Sequence, residues 1–183
     1  MGKLTLILGG ARSGKSTFAE KMAAEDGGKV VYIATAEAKD DEMVTRIKKH
    51  QAERPLSWQT LEIPTHISDH LAQKPIIADV VLLDCLTLLV TNVLMAVNPD
   101  LDKLDEVGSE TAVSAEISAL ITTIQQSNAH WLIVSNEVGL GLVPPYPIGR
   151  IYRDTLGRAN QKLAQAADHV YFLVAGLPLV VKG

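Results

Sequence analysis

The strongest constraint on this chain lies near its start, where an apolar run passes through a glycine-rich turn straight into a helical segment. Leu4–Leu8 is followed by Gly9-Gly10-Ala11-Arg12-Ser13-Gly14-Lys15-Ser16, and the helical pattern Lys15–Glu25 ends at Gly27-Gly28. A short apolar run bounded by glycine reads as a buried strand, and glycine after a helical pattern reads as its stop. The eight-residue stretch matches G-x-x-x-x-G-K-[ST]. Its glycines let the backbone curl until the N–H groups converge on an anion, and the following helix adds its positive end. In such a loop Lys15 reaches the β- and γ-phosphates of a nucleoside triphosphate, and the Ser16 hydroxyl helps to hold Mg²⁺.

The rest of the chain repeats the alternation. Val30–Ala34, Val80–Leu83, Trp131–Ser135 and Val170–Val174 read as buried strands, with Trp58–Ile63 and Leu179–Lys182 as further strands. Asp40–Glu53, Thr65–Leu71, Leu86–Val97, Glu110–Gln126 and Ile148–Ala167 read as helices, with Asp40 and Ser109 as caps. Asn98–Gly108 is the most polar stretch and reads as a mobile connection, and Asn136–Pro147 as a Gly/Pro-rich loop. Buried strands alternating with helices predict an α/β sandwich around a mainly parallel sheet. With the loop, the expected class is a P-loop NTPase (RecA-like) three-layer sandwich. A length of 183 residues suits one domain, read as 1–183.

Composition removes several classes. The formal net charge is −4 and aromatic residues make up 4%, so neither a basic footprint nor stacking platforms for nucleic acid are evident. No apolar run approaches the length of a membrane span. Met1-Gly2-Lys3-Leu4 runs directly into the first strand, which leaves no room for a cleavable signal, and the expected location is cytoplasmic. Cys85 is the single cysteine, so no intramolecular disulfide or cysteine metal cluster is expected. It reads as a small buried residue.

Several polar residues are candidates for chemistry. Asp84 ends a buried apolar run and fits a Walker B carboxylate beside the Mg²⁺ shell; the same position also suits a structural cap. On the helix pattern Asp40–Glu53, Glu42, Arg46 and His50 share one face. On spacing alone that is also the pattern of a solvated face. His66 and His70 are spaced like a metal pair but lack an evident third ligand, and His130 and His169 start strands and read as structural. Glu137 reads either as an organiser of Mg²⁺ or water or as a loop acid. Arg150, Arg153 and Arg158 read either as phosphate ligands or as surface partners of Asp154 and Asp168.

A set of segments goes further. Besides Gly9–Ser16 these are Tyr32-Ile33-Ala34-Thr35, Asp40-Asp41-Glu42-Met43 with Arg46-Ile47 and His50, and Arg54-Pro55 with Trp58. Downstream come Thr87 with Val90-Thr91-Asn92, Asn136-Glu137-Val138-Gly139, Arg153-Asp154, Gly157-Arg158, Asn160-Gln161 and Ala166-Ala167-Asp168. In this order the set resembles the bifunctional adenosylcobinamide kinase / adenosylcobinamide-phosphate guanylyltransferase family of cobalamin biosynthesis, through nearly the whole chain. The resemblance implies phosphorylation of adenosylcobinamide by ATP or GTP. It then implies transfer of GMP from GTP to the product through a GMP-histidine intermediate, giving adenosylcobinamide-GDP and pyrophosphate. Its histidine falls on His50; relatives carry two adjacent histidines where this chain has Lys49-His50. The resemblance also implies that Thr35, Ala36 and Glu37, the stretch Gln51-Ala52-Glu53-Arg54, and Glu62 contribute to the guanine nucleotide site. It implies Mg²⁺ as cofactor, with Ser16 and Asp84 as metal residues, and a homo-oligomer, with a trimer suggested. The competing readings are a P-loop kinase for another small alcohol and a nucleotide-dependent switch.

Overall fold

The computed structural model describes residues 2–37 and 54–183. The expected helix Asp40–Glu53 lies outside them, apart from the boundary at Arg54. Strands β1 (Lys3–Gly9), β2 (Val30–Ala34), β3 (Gln59–Glu62), β4 (Val80–Asp84), β5 (His130–Asn136), β6 (His169–Val174) and β7 (Leu177–Lys182) form one seven-stranded sheet in the order β3-β2-β4-β5-β1-β6-β7. Every neighbouring pair is parallel except β6–β7. The helices are α1 (Lys15–Asp26), α2 (Ile67–Gln73), α3 (Leu86–Val97), α4 (Glu106–Gln126) and α5 (Pro147–Ala166).

The expected α/β class with a mainly parallel sheet holds, and its cause is visible in the central strands. Alternate residues of β1, β2, β4 and β5 enter two separate cores, one on each face of the sheet. Leu4, Leu6, Val31, Ile33, Val81 and Leu83 meet the side chains of α2–α5. Ile7, Val30, Tyr32, Val80, Leu82 and Val134 meet Ala19 and Ala23 of α1. A strand buried on both faces has no polar positions to alternate, which is why these runs were legible in the sequence.

The connections then place the loop. β1 leads into α1 on one face, whereas its neighbour β5 leads into α5 on the other. Adjacent strands whose connections leave on opposite faces open a crevice at their carboxyl ends, where ligands of α/β sheets bind. Gly9 pairs with Asn136 in that crevice.

Two stretches differ from expectation. The segment before α4 is tied down by its own polar groups. Fully buried Asn98 donates from its side-chain amide to Leu94 O and Ser109 Oγ, and its Oδ1 accepts from Asp105 N at 2.7 Å. Asp105, and not Ser109, caps α4 by accepting from Gly108 N at 2.8 Å. Ser109 is buried within the helix and donates to Asp105 O. At the other end, β7 starts earlier than expected because Ala175 and Gly176 take φ of 50° and 84°. Two residues with positive φ make the tight hairpin turn that matches strand twist.

The short helix α2 is capped from outside. The backbone N–H groups of His66 and Ile67 donate to the carboxylate of Glu116, which is buried on α4. Removing that acceptor leaves enclosed donors without a partner. Glu116→Ala should therefore cost about 2 kcal/mol in urea unfolding. Glu110→Ala, which breaks only an exposed pair with Arg158, should cost less than about 1 kcal/mol.

Candidate functional site

The Gly9–Ser16 loop starts where β1 ends, and its conformation depends on glycine. Gly9 has φ 153° and Gly14 has φ 92°. A Cβ on Gly9 would stand 2.6 Å from Ser13 Oγ and 2.7 Å from Leu173 O. One on Gly14 would meet Gly176 Cα at 3.2 Å. Arg12 also has a positive φ, 57°, while Gly10 has free space around it. Ala11 and Arg12 are exposed, and Ser13, Gly14 and Ser16 are half-buried.

Neighbouring strands fasten the loop. Glu137 N, just past β5, donates to Gly9 O at 3.0 Å. Gly176 N, in the β6–β7 turn, donates to Ser13 O at 2.9 Å. Lys15 folds back across the loop, so that its Nζ donates to Gly10 O at 2.6 Å. The lysine is 7% exposed. Burial lowers its pKa, opposed by the nearby Cys85 and Asp84. A desolvated cation at the N-terminus of a helix is a site that an oxyanion would relieve.

Asp84 closes the other side of the crevice, at the end of β4. Its Oδ2 accepts the Tyr32 hydroxyl at 2.9 Å. Among the described residues no group of three or more His, Cys, Asp or Glu side chains is placed to hold a metal ion. A carboxylate near Lys15 of the Gly9–Ser16 loop is a donor of the kind Mg²⁺ takes, since that ion keeps waters and needs only one or two protein ligands. The donor set of Asp84 and Ser16 fits that ion.

The remaining sequence candidates fall into three groups. Thr35 is fully buried, and its hydroxyl donates to Cys85 O at 2.7 Å while accepting from Cys85 N at 2.9 Å. Its carbonyl accepts from Asn92 Nδ2. The Thr35 side chain clamps β2 to the residue after β4, and half-buried Ala36 and exposed Glu37 follow it in the chain. Arg54 lies with its guanidinium carbon 3.5 Å from the centre of the Tyr32 ring. Glu62 ends the edge strand β3, beside Ala34. His50, Gln51, Ala52 and Glu53 lie outside the described residues.

The α5 arginines separate. Arg150 donates to the carbonyls of Pro144 and Pro145, so it supports the loop before its own helix. Arg153 pairs with Asp154 at 2.8 Å, as the surface reading had it. Arg158 pairs with Glu110 at 3.3 Å, and not with Asp168, whose carboxylate accepts from Leu4 N. Glu137, Arg153 and Gln161 line an open cleft of about 490 Å³ between the carboxyl ends of β1 and β5 and helix α5. His66 approaches Asp69 and Glu116, and His169 stacks on Tyr171. His130 bridges Thr5 and Asp26 at the far end of the sheet from the loop.

Sequence reasoning gave no role to Asn160, which fixes the end of β5. Ser135 Oγ donates to its Oδ1 at 2.7 Å, and its Nδ2 donates to Asn136 O at 3.1 Å. It also gave none to Tyr32, although a single phenol in an otherwise aliphatic strand was a usable signal.

Cys85 is partly buried, and burial together with the Asp84 charge pushes its thiol up to about 11. Only thiolate is nucleophilic. At pH 8 the native protein should hold on the order of a hundredfold less thiolate than an ordinary cysteine. Iodoacetamide labelling should be correspondingly slow, rise through pH 10–11, and become fast at pH 8 in denaturant; equal native and denatured rates at pH 8 would contradict this environment.

The family model described as cobinamide kinase / cobinamide phosphate guanyltransferase matches residues 5–181. The bifunctional adenosylcobalamin biosynthesis protein CobU of Salmonella typhimurium is 41% identical over 181 residues, covering 98% of this chain and 99% of the relative. The corresponding CobP of Pseudomonas aeruginosa is 44% identical over 178 residues, covering 97% and 96%. Among solved structures, a RadB recombinase superposes with a TM-score of 0.51 at 15% identity, covering 93% of this chain and 74% of that one. That likeness concerns the fold alone.

Proposed function

The chain belongs to the cobinamide kinase / cobinamide phosphate guanyltransferase family, and on that premise we propose how its site divides two reactions. The protein is a bifunctional transferase of cobalamin nucleotide-loop assembly: it phosphorylates adenosylcobinamide and transfers GMP from GTP to the product. The observation that carries this function is the family match over residues 5–181. Reading the fold as a single RecA-like P-loop domain is supported by the loop's place between β1 and α1 and by the strand order.

In the kinase half, ATP or GTP lies with its phosphates on the backbone of Gly9–Ser16 and the Lys15 ammonium. The hydroxyl oxygen of adenosylcobinamide attacks the γ-phosphorus. The bond to the β-phosphate oxygen breaks, the hydroxyl proton passes to water, and the nucleoside diphosphate leaves. The chain's own contribution is positioning and charge. Mg²⁺, held by Ser16, Asp84 and phosphate oxygens, would supply neutralisation of the phosphate charge. The cleft beside Glu137 gives the acceptor arm a way to the loop.

In the guanylyl half, a neutral ring nitrogen of His50 attacks the α-phosphorus of GTP. A P–N bond forms and pyrophosphate leaves. A phosphate oxygen of adenosylcobinamide phosphate then displaces the histidine and yields adenosylcobinamide-GDP. Gln51, Ala52, Glu53 and Arg54, with Thr35, Ala36, Glu37 and Glu62, surround the guanine nucleotide in this reading. A carboxylate such as Glu62 matches the N1–H and N2–H₂ donors that guanine has and adenine lacks. The two attack points lie two phosphates apart, so the nucleotide repositions between the reactions.

The working form in this reading is a cytoplasmic homo-oligomer, a trimer. The apolar edge strand supports association: Leu177, Leu179, Val180 and Val181 on β7 are all more than half exposed. No described helix is long and apolar enough to cross a membrane.

The test uses Mg²⁺ and GTP labelled at the α-phosphate. Wild type should form an acid-labile, base-stable GMP adduct. His50→Ala should form none while keeping kinase activity within a few-fold. Adduct formation by folded His50→Ala would move the nucleophile elsewhere. A folded wild type that binds GTP and phosphorylates adenosylcobinamide without any adduct would leave a kinase alone.

A further inference from the structure

Tyr32 sits in β2 among Val30, Val31, Ile33 and Ala34, and is 2% exposed. Both ends of its side chain are engaged. The hydroxyl donates to Asp84 Oδ2 at 2.9 Å. The ring face carries the Arg54 guanidinium, with Cζ 3.5 Å from the centroid. Arg54 Nε and Nη1 are enclosed and have no hydrogen-bond partner among the described residues. One rigid ring therefore joins an acid at the end of β4 to a base that follows the segment containing His50.

This arrangement does two physical jobs. A carboxylate free to rotate offers two equivalent oxygens. A hydrogen bond from an immobile phenol removes that equivalence and leaves Oδ1 as the oxygen still available to a cation. On the ring side, an aromatic face attracts a guanidinium without using its N–H groups. The enclosed Nε and Nη1 of Arg54, with three N–H groups between them, thus remain without an acceptor among the described residues.

We propose that Tyr32 is a positioning residue of the nucleotide site, its hydroxyl orienting Asp84 toward the phosphate-bound cation and its ring presenting Arg54 to a nucleotide phosphate. The proposal rests on the reading of Asp84 and Arg54 as nucleotide-site residues, and it adds a shared support that makes the two behave as a unit.

Binding of a fluorescent GTP analogue, titrated with Mg²⁺ and repeated in EDTA, separates the two jobs. Tyr32→Phe keeps the ring and loses the hydroxyl. It should raise the Mg²⁺ concentration at half-saturation about tenfold, the loss expected for a hydrogen bond to a charged group. Binding in EDTA should change less than twofold. Arg54→Lys keeps the charge and loses the planar stack. It should weaken binding in EDTA about fivefold and leave the Mg²⁺ midpoint unchanged. Thermal melting shows whether each variant is folded under the assay conditions. An unchanged Mg²⁺ midpoint in folded Tyr32→Phe, with a shifted midpoint in Asp84→Asn, overturns the orienting role alone. Unchanged midpoints in both variants remove the metal reading of Asp84 and the orienting role with it. Unchanged EDTA binding in Arg54→Lys overturns the ring's role, and with Arg54→Ala also unchanged the anion reading of Arg54 goes too. Equal weakening of both measures in Tyr32→Phe, together with a large fall in melting temperature, makes the phenol merely structural and overturns the proposal.

Discussion

Two backbone hydrogen bonds hold the Gly9–Ser16 loop open. Gly9 O accepts from Glu137 N on one side, and Ser13 O accepts from Gly176 N on the other. A loop with positive φ at Gly9, Arg12 and Gly14 is conformationally expensive. The flanking strands of the parallel sheet make it persist by fixing its two ends. The crevice, the burial of Lys15 and the approach of α1 all follow from the loop being fixed there. Parallel pairing also sets which side chains can gather. Every strand but the last ends at the same edge, so Ala34, Glu62, Asp84, Asn136 and Gly9 arrive together although the sequence scatters them.

The electrostatics of this edge are assembled from partly desolvated groups that limit each other. Burial lowers the Lys15 pKa while Asp84 raises it, and Asp84 in turn is held by a phenol that burial keeps protonated. Cys85 stays a thiol in the same surroundings. The ammonium and the carboxylate are thus kept near one another without collapsing into a direct ion pair; Lys15 Nζ is engaged by Gly10 O and Asp84 Oδ2 by Tyr32. A phosphate entering between them would find a preset donor and a carboxylate whose orientation is fixed.

The sequence made the sheet readable because its central strands are buried on both faces, which gives runs such as Val80–Leu83 no polar interruption. The loop was readable because glycines at set spacing have few other uses. What escaped was long-range satisfaction of polar groups. Asn98–Gly108 reads by composition as a mobile connection, yet Asn98 is fully buried and its amide, Asp105 and Ser109 satisfy one another. Glu116 looked like one more acid on a long helix, yet it caps a helix that lies far from it in sequence. Thr35 was assigned by resemblance to the nucleotide site; its hydroxyl is committed to the Cys85 backbone, so any contact it makes there runs through backbone or neighbours. Local pattern shows which residues are polar, and only the fold shows what each polar atom meets.

The hairpin turn at Ala175-Gly176 has a temporal consequence. The loop it supports is written near the start of the chain, and its own strand, β1, pairs with β5 and β6, which are written near the end. During synthesis the glycine-rich segment leaves the ribosome long before the partners that shape it. Such non-local pairing also slows folding of the released chain. The segment that appears first therefore reaches its final shape only when the strands and turn that appear late are in place.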